Sequence, residues 1–189
     1  MSTLLDLPEA RERVKRWTVA EYERITELGV LGKNVELIRG FLVEKMSKSP
    51  LHRFFAQALY DLLNKFLPEG YCVMIESPLR LSDSEPEPDV MVVHGEKNDF
   101  REQHPSSAAL VIEVAVSNVD LDRENASLYA EAGVEEYWIV LPKLSQVEVY
   151  RTPRDGGYSE KVTMAAPSML ICASVPSVQV DLNKLFAAA

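Results

Sequence analysis

Asp89 stands at the head of an apolar run, Pro88-Asp-Val-Met-Val-Val-His94, and Glu113 at the centre of another, Ala109-Leu-Val-Ile-Glu-Val-Ala-Val116. A carboxylate inside a strand-like hydrophobic segment is costly to bury unless it is paired or bound to metal. Two of them on successive strands make a candidate seat for a divalent cation, held through hard oxygen ligands. Other chemistries have less support. Cys72, Cys172 and the three histidines show no zinc spacing. No G-x-S-x-G elbow or phosphate-cradling glycine loop occurs. Glu85, Glu87 and Asp89 could suggest glycosidase carboxylates, but Ser84-Glu-Pro-Glu-Pro88 reads as an extended surface turn.

Local patterns indicate the elements that must position this pair. Thr18-Val-Ala-Glu21 is a capping box flanked by Trp17 and Tyr22 at staple positions, so a short helix runs to about Leu28 and stops at Gly29. Val35 to Lys45 reads as a hairpin turning at Arg39-Gly40. Ser49-Pro50 supplies an N-cap and first helical residue. Leu51, Phe54, Phe55, Ala58, Leu59, Leu62, Leu63 and Phe66 then mark an amphipathic helix, ended by Pro68-Glu-Gly70. Strand-like runs follow at Tyr71 to Ile75, extending toward Leu81, then at Asp89 to His94 and Leu110 to Val116, with a polar loop from Gly95 to Ser107. Ser117-Asn-Val-Asp120 caps a helix through Ala132, and Glu136 to Leu141 is a buried strand. Gln146 to Tyr150 and Tyr158 to Val162 flank a turn at Asp155-Gly-Gly157, and a short capped helix begins near Asp181.

A chain of 189 residues with 47% hydrophobic and 26% charged content suits one soluble α/β domain. Residues 1–16 read as a charged lead-in, a solvated arm despite Arg11, Arg13, Lys15 and Arg16, and residues 17–189 as the domain. The net charge of −9 argues against broad, charge-driven adhesion to nucleic acid or an anionic membrane, while leaving room for a local cationic cleft. No signal peptide is visible, and no uncharged apolar stretch approaches the ~18 residues of a membrane helix. Cys72 and Cys172 in apolar contexts fit buried free thiols, so a cytoplasmic protein is expected.

The order helix, three strands, helix, strand, with Pro-Asp on the second strand and Glu on the third, resembles the PD-(D/E)XK nuclease superfamily. Glu36-Leu-Ile-Arg-Gly40, Ser49-Pro-Leu-His52, Pro88-Asp-Val90, Ile112-Glu-Val114 with Ser117, Leu128-Tyr-Ala-Glu-Ala-Gly-Val134 and Glu136-Tyr-Trp-Ile-Val140 resemble, in order, the Uma-two family of bacterial restriction-endonuclease-like proteins. The resemblance runs from about residue 17 to residue 187. It implies a restriction endonuclease-like fold: a mixed central sheet flanked by helices in an α-β-β-β-α-β core, with an extra N-terminal helix and hairpins. It also implies metal-assisted hydrolysis of DNA phosphodiester bonds. Asp89 and Glu113 would hold Mg²⁺ or Mn²⁺, with the carbonyl of Val114 and substrate oxygens completing the set. Glu36 would add an acid and His52 an imidazole near the cleft, although Glu36 also reads as a strand-edge surface charge and His52 as an ordinary first-turn residue. A homodimer is the implied assembly, with apolar surface on the C-terminal hairpins.

Two departures qualify that reading. The superfamily lysine two residues past Glu113 is Ala115 here, and the lysine that most of the family carries on the following helix is Asn125. Helical spacing sets Asn125 on an inward stripe with Leu121, Leu128, Tyr129 and Ala132. Asparagine can hydrogen-bond a water or a phosphate oxygen but brings no charge to a transition state. Arg123 lies on another face, and the usual aspartate after Trp-Ile-Val is Leu141. The sequence thus leaves open an endonuclease, impaired or with a cation recruited from elsewhere, and alternatively an inactive nuclease-fold module that binds nucleic acid or protein.

Overall fold

The computed structural model describes Glu9 and residues 13–32 and 34–187. Most of the expected lead-in lies outside the described residues. Its last part is held rather than free: Lys15 pairs with Glu21 at 2.6 Å and Arg16 lies over the Phe41 ring. The chain forms two compact units. The smaller combines the described residues up to Met46 with Ser82–Pro86, and the larger combines Ser47–Leu81 with the described residues from Glu87 onward.

In the smaller unit, α1 (Val19–Glu27) starts on the expected capping box, Thr18 accepting from the Glu21 amide while the Glu21 carboxylate accepts from the Thr18 amide. β1 (Val35–Ile38) and β2 (Phe41–Glu44) form the hairpin. Its turn residues Arg39 and Gly40 have φ of 50° and 79°, the twist that suits a tight hairpin. A Cβ on Gly40 would also meet the Arg16 Cβ at 2.6 Å. Ser84 and Glu85 correct the expectation of a surface turn: both are buried, because the Arg39 amide donates to the Ser84 hydroxyl and the Glu85 amide to the Leu37 carbonyl.

The larger unit is mixed α/β. Its six-stranded sheet has the order β3 (Tyr71–Ile75), β4 (Val90–His94), β5 (Leu110–Val114), β6 (Glu136–Leu141), β7 (Gln146–Arg154), β8 (Gly157–Ala165). All neighbours are antiparallel except β5 and β6, which run parallel and are joined through α3 (Asp120–Glu131) as such a crossover requires. α2 (Pro50–Phe66) buries Phe55, Ala56, Leu59 and Leu63 in a core with Val92, Ile112, Trp138 and Val149. β4 and β6 are almost wholly buried, which explains their continuous apolar runs in place of alternation.

Three expectations shift in detail. β3 stops at Ile75 rather than continuing toward Leu81, because Glu76 adopts a left-handed φ of 46° and Pro78 cannot donate to a ladder. The α3 cap residue is Val119, without a side-chain cap bond; Asn118 instead accepts from the Asp120 amide. The inward stripe of α3 is also rotated. Leu121 is 50% exposed, whereas Ala126, Tyr129 and Ala130 are buried. The tail adds a small ribbon, β9 (Met169–Ile171) with β10 (Gln179–Asp181), and then α4 (Leu182–Ala187), capped by Asp181 as expected. Among the described residues no helix is long and apolar enough to cross a membrane.

Candidate functional site

The centre of the larger unit is Asp89, just before β4, beside Glu113 on β5. The antiparallel register pairs Val90 with Ile112, which sets the two acids next to each other at the same end of the sheet. The Asp89 amide donates to Glu113 Oε2 at 3.2 Å, and the Val114 amide donates to Asp89 Oδ2 at 2.8 Å. Val114 therefore meets the site through its N–H.

The start of α2 delivers two more groups. Ser49 caps the helix by accepting from the His52 amide, which fixes the first turn. From there His52 Nε2 lies 2.8 Å from Asp89 Oδ2 and Lys48 Nζ lies 2.7 Å from Asp89 Oδ1. Lys48 also reaches Glu76 at 3.2 Å. Glu76 is held close by its own amide, which donates to the Asp89 carbonyl. The His52 contact is a hydrogen bond with its proton on Nε2, since ionised Asp89 can only accept. His52 Nδ1 is buried without a partner. On the other side, α3 contributes Tyr129, fully buried, whose hydroxyl donates to Glu113 Oε1 at 2.8 Å.

These surroundings drive the two carboxyls apart. Burial pushes Asp89 up, but the hydrogen bond from His52 and the charge of Lys48 outweigh it, so Asp89 titrates below its ordinary value. For Glu113, burial comes first and then repulsion from Asp89 and Asp122. Together they raise it well above the usual carboxylate range despite the Tyr129 hydroxyl. Burial also works against the Lys48 ammonium, yet Asp89 and Glu76 prevail and raise it, which keeps its proton in place at neutral pH.

A divalent cation fits this donor set. Burial first, and then the charge of Asp89, disfavours the ionised form of Glu113, and a cation shared by the two carboxylates would offset both. Among the described residues no group of three or more His, Cys, Asp and Glu side chains converges to hold a metal ion. An ion seated on this pair would need backbone, water or substrate oxygens to complete its shell.

The other sequence candidates fall as follows. Asn125 is half-buried on α3, one turn before Tyr129. Arg123, expected on another helical face, is engaged by Glu148 on β7. Glu36 lies on β1 of the smaller unit, half-buried and paired with Val43; its role rests on the resemblance alone. Lys48, Glu76, Asp122 and Tyr129 were not singled out as site residues from the sequence. Lys48 did carry a signal: it sits just before the N-cap of a helix whose first turn has no acid, where a positive charge opposes the helix dipole and needs partners elsewhere. Tyr129 carried none, because a buried helical aromatic looks like core.

Comparison with known proteins bears on both units. A solved structure from Anabaena variabilis, described as "a putative nuclease belonging to DUF820", superposes with a TM-score of 0.70 at 17% identity, covering 86% of this chain and 97% of that one. That likeness shows a shared fold. No curated protein matches the chain. The Uma2 family model, described as "Putative restriction endonuclease", matches residues 19–183. With that match spanning most of its length, the chain belongs to the Uma2 family.

Proposed function

We propose that this protein is a Mg²⁺- or Mn²⁺-dependent endonuclease that hydrolyses DNA phosphodiester bonds at the Asp89–Glu113 pair. The observation that carries the reading is the juxtaposition of the two acids, tied by the Asp89 amide to Glu113 and by the Val114 amide to Asp89. Asp89 and Glu113 would hold the ion, with the Val114 carbonyl as a backbone ligand. The ion, when bound, makes a water acidic enough to attack and offsets charge on the phosphoryl oxygens. His52 orients the Asp89 carboxylate, Tyr129 orients Glu113, and Asn125 offers a hydrogen bond to a water or a phosphate oxygen. Exposed Val162, Met169 and Ile171 support pairing of two copies, and two free thiols suit a reducing, cytoplasmic setting.

A second reading, a non-catalytic module that binds nucleic acid or protein, is favoured by Asn125 and by the way protein donors already occupy both oxygens of Asp89. Cleavage of single-stranded, duplex and branched DNA with Mn²⁺ separates the two. Wild type is expected to cut, and Glu113→Ala to lose about a thousand-fold or more of that rate, the scale of removing one electrostatic support of a transition state. Cleavage that survives Glu113→Ala puts the active site elsewhere. Metal binding without any cleavage by wild type favours the second reading.

A further inference from the structure

We infer that Lys48 supplies the catalytic cation of this site, in place of the helix lysine whose position is Asn125. The inference rests on the endonuclease reading above and names the group that completes it.

Phosphodiester hydrolysis concentrates negative charge on the non-bridging oxygens of phosphorus as water adds and the sugar oxygen leaves, and a fixed positive charge beside those oxygens lowers the barrier. The water oxygen forms its bond to phosphorus as the bond to the leaving sugar oxygen breaks with its electron pair. One water proton passes to solvent and the leaving oxygen takes a proton from solvent. A cation that holds its own proton throughout serves this step as a charge and not as an acid or base.

Lys48 is placed to supply that charge. Its ammonium lies 2.7 Å from Asp89 Oδ1, on the oxygen that neither Val114 nor His52 uses. Its side chain is 23% exposed, open enough to meet a substrate and enclosed enough to be weakly screened. Glu76 holds it from the other side at 3.2 Å, and the Glu76 backbone is in turn pinned to the Asp89 carbonyl. A lysine at this place opposes the positive end of α2, so the fold spends interaction energy to keep it there. The alternatives on the neighbouring elements do not serve: Ala115 and Asn125 are uncharged, and Arg123 is committed to Glu148.

The test compares wild type, Glu113→Ala, Lys48→Met, Lys48→Gln, Asn125→Lys and the double variant Lys48→Met/Asn125→Lys. The readouts are Mn²⁺-dependent kcat and KM on DNA, Mn²⁺ affinity by calorimetry and thermal melting. Lys48→Met should lower kcat by about a hundred- to a thousand-fold, with KM changed only a few-fold and Mn²⁺ binding retained. Lys48→Gln keeps a donor for Asp89 without the charge, so it should be equally slow even if the methionine variant folds poorly. Returning a lysine at position 125 should restore at least about tenfold of the lost rate, and by a larger factor than Asn125→Lys alone adds to the wild-type rate, a difference that a merely structural role for Lys48 does not give. Lys48→Met or Lys48→Gln cutting within about threefold of wild type, while Glu113→Ala is dead, overturns the role of Lys48 and leaves the endonuclease reading intact. Loss of Mn²⁺ binding along with cleavage in both Lys48 variants, with no rescue, also overturns it and makes Lys48 a structural partner of Asp89. Absence of cleavage by wild type, or cleavage indifferent to Glu113→Ala, overturns the endonuclease reading and this inference with it.

Discussion

Asp89→Asn should abolish DNA cleavage, by about a thousand-fold or more, while leaving the protein folded. The substitution keeps the shape of the side chain but turns one acceptor oxygen into a donor. The Oδ2 position already receives the Val114 amide and His52, so the amide group must turn its nitrogen toward Lys48. There it meets an ammonium that lies 2.7 Å from the wild-type oxygen. Lys48 keeps Glu76 as a partner, which limits the loss of stability to about 1–3 kcal/mol, the range for a buried polar group left imperfectly paired. On the proposed metal seat the variant removes one of two hard ligands and a negative charge, so divalent metal binding should go with the activity. Cleavage assays and melting curves on the purified variant check both parts. Full activity in Asp89→Asn would remove this residue from the chemistry.

The largest effect on folding is expected from a residue with no part in the site. Glu136 heads β6 and is 1% exposed, a carboxyl group among buried apolar strands. Its oxygens accept from the Trp138 indole at 2.7 Å, Arg151 at 2.9 Å, and the Ala173 and Ser174 amides at 2.6 and 3.3 Å. One carboxylate thus ties β6, β7 and the segment after β9 together. Glu136→Ala leaves the buried Trp138 indole N–H and the Ala173 and Ser174 amides without their acceptor and leaves Arg151 only the Ile171 carbonyl at 2.6 Å. Breaking a buried pair from one side costs about 3–5 kcal/mol, a large share of the ~5–15 kcal/mol that holds a typical domain. Urea unfolding should show a sharply lowered midpoint. A change below about 1 kcal/mol would mean that water reaches these groups readily. Glu136→Gln, which keeps an acceptor, should be milder.

The parts of this fold that local chemistry dictates were legible in the sequence. The Thr18 capping box, the Arg39-Gly40 and Asp155-Gly156 turns and the Ser49-Pro50 helix start each need only a few adjacent residues, and each appears where its pattern predicts. The two acids were legible for a related reason: a charge in an apolar run is anomalous wherever the run ends up. Their surroundings were not. Lys48 and Asp89 are 41 residues apart in sequence, and only the packing of α2 against the sheet brings them into contact. The three-residue strands β9 and β10 are too short to show alternation. The Ser84–Glu85 segment looked like surface because it is polar and rich in proline, yet backbone bonds to Leu37 and Arg39 bury it. Leu121 misled the α3 stripe for a simpler reason, since one exposed leucine is unremarkable on a protein surface.

The central claim is that Asp89 and Glu113 form a divalent-metal seat, and calorimetric titration of Mn²⁺ into the purified chain tests it most directly, with Glu113→Gln titrated alongside. Wild type should bind one ion per chain and Glu113→Gln should lose that binding while keeping its melting temperature within a few degrees. Binding of the same strength and stoichiometry in Glu113→Gln, or no binding by wild type at millimolar Mn²⁺ in the presence of DNA, would contradict the account.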